Sequence, residues 1–488
     1  MVASNDQIST GVTGLNSVLY GGFVPESTNL IRGGPGVGKT TFGLHFLIDG
    51  MKKNEKSLFI SLGETEQNIR KNASRLGLDI TGLDILDLSP DSSFFTEVES
   101  YDIFAPSDVE RGPVTQKITE KIENDKPKRV FLDAITQFRF LSSDEYQYRK
   151  QALSFLTYLK EKGITVVFTT EHSKLAPDDD MQFMCDCVIN LENMNGSYRL
   201  KVIKCRGADT MTGGHTYKIT SDGIALFPNT IPPLKLNRVA KHQLSFGIRE
   251  MDELLNGGIE SSTINLISGP SGVGKTTLGV QLAYQAAKEG YNTFIFSFEE
   301  EKEMILSRSD EVNIPARKLE KEGNLNLMRI EPMLYSFDEF AHLVNYYVKK
   351  SEASVVMIDS ITGFNLALKE EDPSNQLYAL SKYLQKHGIT VVLMDEVKSI
   401  TGEFQISGNR LSYLADNIIF LRYLEMEGEM KKAIGVIKKR LSDFEKTLRE
   451  FEITSKGIRL GKPLDNLRGI FSGKPSWSNE NEQKNTDS

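Results

Sequence analysis

The run Gly33-Gly34-Pro35-Gly36-Val37-Gly38-Lys39-Thr40 fits the pattern G-x-x-x-x-G-K-S/T, and it recurs as Gly269-Pro270-Ser271-Gly272-Val273-Gly274-Lys275-Thr276. Glycines let backbone N–H groups curl around phosphate oxygens where a Cβ would obstruct them. The lysine of such a loop reaches the outer phosphates, and the hydroxyl of Thr40 or Thr276 is a ligand for Mg²⁺. Thr41 and Thr277 follow at the start of the expected helix, whose N-terminus favours bound phosphate. The chain is therefore expected to bind ATP and Mg²⁺ twice.

Not only the loops repeat. Gly11 to Gly247, Lys39 to Lys275 and Glu64 to Glu300 are steps of 236, Asp133 to Asp359 is 226, and Arg206 to Arg440 is 234. A step that holds, shortens and recovers describes one domain copied in tandem, with loop-length changes in its middle. The expected organisation is a first domain over 1–230, a linker over 231–244 containing Pro232-Pro233, a second domain over 245–472 and a polar, disordered tail over 473–488.

The 488 residues have a net charge of −8 and 39% apolar content, the composition of an ordinary globular protein. The acidic balance lacks the basic footprint expected of a nucleic-acid binder. No apolar run is long enough to span a membrane. Three cysteines, Cys185, Cys187 and Cys205, fit a reducing cytoplasm, and Cys185-Asp186-Cys187 is too tightly spaced for a zinc pair. They are expected to be core thiols.

Each half alternates short β-branched runs with helical patterns, which predicts an α/β fold: two P-loop domains, each a mostly parallel sheet flanked by helices. Strands are expected at Thr28–Arg32, Ser57–Leu62, Val130–Leu132 and Thr165–Thr170, with helices at Lys39–Lys52, Glu66–Leu76 and Gln151–Lys162. Thr263–Ile267, Phe294–Phe298, Val355–Ile358 and Thr390–Met394 are the matching strands of the second half.

Asp133 and Asp359 each end a buried apolar run, so a charge there needs a partner. In a P-loop protein that partner is Mg²⁺, with a helix cap as the plain alternative. Glu64, and the pair Glu299-Glu300, follow the strand after the P-loop helix, where a carboxylate can orient or deprotonate a nucleophile. A solvated acidic helix start would look the same. Lys204 and Arg206, and Lys438 and Arg440, lie late in each half, far in sequence from their own loops. A neighbouring subunit's site is one destination for such cations, a solvated surface the other.

With these residues assembled, the chain resembles the KaiC family of tandem RecA-like ATPases from circadian clocks, from about Gly11 to Pro475. The loops, the carboxylates, the Lys-x-Arg pairs and the stretch Asp416 to Tyr423 followed by Gly428-Glu429-Met430 carry the likeness. The resemblance implies a homohexamer of two stacked rings with ATP between subunits, hydrolysis in the first ring, and Ser/Thr autokinase activity in the second. The family's acceptor pair matches Ser412 and Tyr413 here, with Glu299 as the implied base. Gly63 stands where the family's first domain has the first of two glutamates, and Leu441 stands where a glycine is usual. A KaiB-like partner is compatible with the resemblance. KaiA is not expected, because the longer C-terminal segment of cyanobacterial members is missing.

Two other functions share the fold core. One is a RecA- or DnaB-like nucleic-acid motor, which the acidic composition disfavours. The other is a nucleotide-gated scaffold with little turnover, which Gly63, Tyr413 and Leu441 keep in view.

Overall fold

The computed structural model describes residues 7–90, 111–139, 144–170, 178–194, 196–229, 242–331, 333–367, 373–397, 411–426, 428–464, 467–468 and 476–477. The chain forms two compact units, Met1–Asn229 and Thr230–Ser488. Most of the expected linker lies outside the described residues. Of the expected tail only Ser476–Trp477 is described, paired antiparallel with Leu467–Arg468.

In the first unit nine strands form one sheet: β1 Thr28–Gly33, β2 Ser57–Ser61, β3 Asp84–Asp87, β4 Arg129–Asp133, β5 Thr165–Thr169, β6 Cys187–Met194, β7 Ser197–Cys205, β8 Gly214–Thr220 and β9 Gly223–Phe227. Their order is β3-β2-β4-β5-β1-β6-β7-β8-β9. Pairing is parallel from β3 through β6 and antiparallel from there to β9. The central parallel strands β1, β2, β4 and β5 are buried on both faces, as near-continuous apolar runs require. Phe59, Phe131 and Val167 face one hydrophobic cluster, and Leu58, Val130 and Val166 face another.

The second unit repeats the plan with β10 Ile264–Gly269, β11 Thr293–Ser297, β12 Leu325–Arg329, β13 Val355–Asp359, β14 Thr390–Glu396, β15 Asn417–Met426, β16 Glu429–Lys439, β17 Arg449–Thr454 and β18 Gly457–Pro463. The equivalent order is β12-β11-β13-β14-β10-β15-β16-β17-β18. In each unit the helix after the phosphate loop, Lys39–Lys52 or Lys275–Lys288, packs closely on the sheet through one glycine. A Cβ on Gly43 would sit 2.2 Å from the Phe131 ring, and one on Gly279 2.1 Å from Met394 Cε.

The helix expected from Gln151 starts earlier, at Glu145, because Asp144 caps it by accepting from the Gln147 N–H at 2.8 Å. The antiparallel hairpins do not read as apolar runs, since strands such as Ser197–Cys205 are mostly half-buried or exposed. Their turn signal is Asn193, whose side chain accepts from the N–H of Gly196 at φ 87°.

Two polar contacts fasten the first unit. Arg129, 1% exposed at the start of β4, donates to Glu55 at 2.6 Å and to the Ser9 and Phe46 carbonyls at 2.9 Å, and lies 3.0 Å from Asp49. His45 Nε2 accepts from the Ile224 N–H at 2.8 Å, tying the P-loop helix to β9. Burial, with a smaller push from Lys52, lowers the His45 pKa from 6.5 to about 4.

The folded state therefore binds fewer protons than the unfolded chain between those values, so this stabilisation is complete above pH 6.5 and is lost as pH falls toward 4. The His45→Gln variant keeps an acceptor that does not titrate. Urea unfolding of the first unit at about pH 7 and about pH 5 should show the parent losing roughly 2 kcal/mol more than the variant. Equal losses would mean that His45 does not carry the pH dependence.

Candidate functional site

Parallel strands deliver their carboxyl ends to one edge of the sheet. The phosphate loop leaves β1 there and turns into the helix at Gly38, in the left-handed region at φ 87°; Gly274 does the same at φ 114° in the second unit. At the same edge, β4 ends in Asp133 and β2 leads to Glu64. They line a cleft of about 510 Å³ together with Gly33, Lys39 and Thr40.

In the first unit Thr40 Oγ1 donates to Asp133 Oδ2 at 2.6 Å, and Thr169 donates to the other carboxylate oxygen. Lys39 Nζ donates to the carbonyls of Gly33 and Gly34 at 2.8 Å. Glu64 is held at both ends: its backbone meets the Ser61 hydroxyl, and its Oε1 accepts from Asn72 at 2.7 Å. Burial raises the Glu64 pKa, and the nearby Asp133 charge adds to that, while Asn72 opposes it.

The second unit reproduces this frame. Thr276 Oγ1 donates to Asp359 Oδ2 at 2.7 Å, and Lys275 Nζ donates to the Pro270 carbonyl at 2.9 Å. Ser297 bonds the backbone of Glu300, as Ser61 does that of Glu64. Arg308 Nη1 donates to Glu300 Oε1 at 2.8 Å, where the first unit has the amide of Asn72. Burial pushes the Asp359 carboxyl up to about 6, the Thr276 hydroxyl opposing and Glu299 and Glu300 adding. Burial lowers the Lys275 pKa, against the pull of Glu396, Asp359, Glu299 and Asp395.

One difference is concerted. Glu299 accepts from the Ser360 hydroxyl, so two side chains from different strands form one unit. The register places Gly63 and Ala134 at these two positions in the first unit. Both partners of that bond are gone together, and a Cβ on Gly63 would meet nothing closer than Gln137 Nε2 at 3.9 Å.

The cations are not brought to their own loops. Lys204 pairs with Val188, which pairs with Leu30, and Arg206 N–H donates to the Asp186 carbonyl at 2.8 Å, level with Thr28. Arg206 thus lies at the amino end of β1, roughly 16 Å of strand from Gly33 at ~3.3 Å per residue, and Lys204 lies midway along it. Arg206 Nη2 donates to the Phe183 carbonyl, Lys438 Nζ to the Ala415 carbonyl, and Arg440 to the Tyr413 carbonyl and Asp416. Ser412 lies in the short helix Leu411–Leu414, with its side chain outside the described residues; Tyr413 is 80% exposed.

The sequence reading missed Asn72, Arg308, Thr169 and Ser360. Asn72 and Arg308 stand 236 residues apart, the step shared by the loops, which is the signal that would have found them. For Mg²⁺ the fit is one of donor chemistry. A hydroxyl and a carboxylate within 2.7 Å in each unit are hard oxygen donors, and this cation keeps most of its waters and takes few protein ligands. Among the described residues no cluster of three or more His, Cys, Asp or Glu could hold a metal by itself. No helix among them is long and apolar enough to cross a membrane.

The family model described as "ATPase: KaiC" matches the chain twice, over residues 8–231 and 244–465. A circadian clock oscillator protein KaiC of Parathermosynechococcus lividus is 27% identical over 97% of this chain and 89% of its own length. One of the same name from Parasynechococcus marenigrum is 27% identical over 96% and 93%.

The two loops predict a stoichiometry. The parent should bind two ATP per chain in Mg²⁺, with Lys39→Ala and Lys275→Ala each retaining one and the double variant none. Removing a charge-assisted contact of this kind costs about 1.5–3 kcal/mol, roughly 10- to 100-fold in affinity. Calorimetric titration with a non-hydrolysable ATP analogue reads this directly, and two sites in either single variant would contradict it.

Proposed function

The chain belongs to the KaiC family of ATPases, and on that premise we propose that it hydrolyses ATP at composite sites between the subunits of a homohexamer. The domains of this reading span 1–230 and 245–472. The loops Gly33–Thr41 and Gly269–Thr277 hold ATP, and Thr40 with Asp133, and Thr276 with Asp359, hold Mg²⁺, which would neutralise charge on the phosphates. Glu64, Glu299 and Glu300 orient or deprotonate the nucleophile. The observation that carries the reading is the placement of Arg206 at the sheet end opposite its own loop, two residues beyond Lys204. A cation there serves a neighbouring subunit's phosphate, a device worth about 10³–10⁵ in rate.

The concerted Gly63 and Ala134 replacement divides the work. The second domain, with Glu299 held by Ser360, is the site of faster chemistry, including phosphoryl transfer to Ser412 of a neighbouring subunit. The first domain, with Glu64 alone, turns over slowly and serves chiefly to hold the ring together. A cytoplasmic timing or signalling switch, with a KaiB-like partner, is the role that fits such a pair.

Incubation with γ-labelled ATP and Mg²⁺ should give both released phosphate and label on the protein, and Ser412→Ala should abolish the second while sparing the first. Label that persists in that variant places the acceptor elsewhere. In a Lys275→Ala background, the double change Gly63→Glu with Ala134→Ser should raise first-domain turnover toward the ~10²–10⁴-fold that a general base supplies. An unchanged rate in a folded, ATP-binding variant would sink the division of labour.

A further inference from the structure

Cys187 opens β6 and Cys205 closes β7, and the register sets them directly opposite each other. The N–H of Arg206 donates to the Asp186 carbonyl, so 186 and 206 form a hydrogen-bonded pair. By the alternation of an antiparallel ladder, 187 and 205 are then a non-hydrogen-bonded pair, with Cα atoms about 4.5 Å apart. That lies within the ~4.4–6.8 Å that a disulfide spans. Both side chains emerge on one face and join the same hydrophobic cluster. Cys187 is 1% exposed, whereas Cys205 is half-buried and is the one a small oxidant reaches.

We propose that Cys187 and Cys205 form a reversible cross-strand disulfide, a redox modification site that acts on the strand end carrying Lys204 and Arg206. A hydroperoxide is the oxidant. The Cys205 thiolate attacks one peroxide oxygen, the O–O bond breaks, and hydroxide leaves as Cys205 becomes a sulfenic acid. The Cys187 sulfur then displaces that hydroxyl, its proton departs with it as water, and the S–S bond forms. The peroxide gains two electrons and the thiol pair loses two; a dithiol reductant reverses the step. The neighbouring Cys187 thiol holds the Cys205 pKa below its ordinary value, which favours the thiolate there.

The consequence follows from position. Ile203 is the extra residue of a β-bulge between the Val188 and Ile189 pairings, and a bulge re-aims the end of its strand. Cys205 lies between that bulge and Arg206, so a covalent bond there removes the adjustment of the two cations. The second domain has Asn417 opposite Lys439 at this register, with Lys439 paired to Glu260 at 3.2 Å, so the device belongs to the first domain alone. The effect on turnover rests on the composite-site reading; the bond itself does not.

The test treats the full-length protein with hydrogen peroxide, blocks free thiols and digests without reduction. The expected result is a Cys187–Cys205 crosslinked peptide, a loss of two hydrogens per chain, and reversal by dithiothreitol. A bond between Cys185 and Cys187, a bond between chains, or no bond overturns the site. In the Lys275→Ala background, oxidation should lower ATP turnover about tenfold or more, within the ~10²-fold cost of an ångström-scale misplacement. Cys205→Ser should be insensitive. A crosslink with unchanged turnover overturns the control, and an equally silent Arg206→Ala would assign that failure to the composite-site reading.

Discussion

The direction of the strands governs this protein. Because β1, β2 and β4 run parallel, the phosphate loop, Glu64 and Asp133 must emerge at one edge, and the Thr40–Asp133 bond at 2.6 Å closes the loop helix onto a strand end. The same polarity sends Asp186, Cys187 and Arg206 to the opposite edge. Which groups meet at the phosphate loop and which lie far from it are two results of one constraint. No side-chain movement within a subunit brings Arg206 across the length of β1.

Much of this was legible in the residues. Loops of fixed spacing, apolar runs ending in Asp133 and Asp359, and a nearly constant step between copies read directly, because close backbone approach to phosphate and burial of a charge each demand particular residue types. The cross-strand partnerships were not legible. Cys187 and Cys205 are 18 apart in sequence and adjacent only through a bulged antiparallel register. Glu299 and Ser360 meet because two strands lie side by side, a fact of topology and not of local pattern. One helix starts earlier than its apolar periodicity suggests, because a single cap, Asp144, sets its first turn.

The two halves have kept their frame and changed their electrostatics. Asn72 offers Glu64 a neutral amide, and burial with the Asp133 charge then pushes that carboxyl upward. Arg308 offers Glu300 a full positive charge at the same place, and a second carboxylate, Glu299, stands beside it on Ser360. A duplicated domain can in this way keep its loop geometry twice while the surroundings of its carboxylates become unequal.

Arg129 extends that inequality to heat. In the first unit the strand that ends in Asp133 begins with this buried guanidinium between Asp49 and Glu55; in the second, the strand that ends in Asp359 begins with the apolar Val355. Apolar burial weakens on cooling, and the desolvation penalty of an ion pair falls on warming. The anchors of the strands that end in Asp133 and Asp359 therefore change in strength differently with temperature, the ion pairs gaining on the apolar contacts as the protein warms.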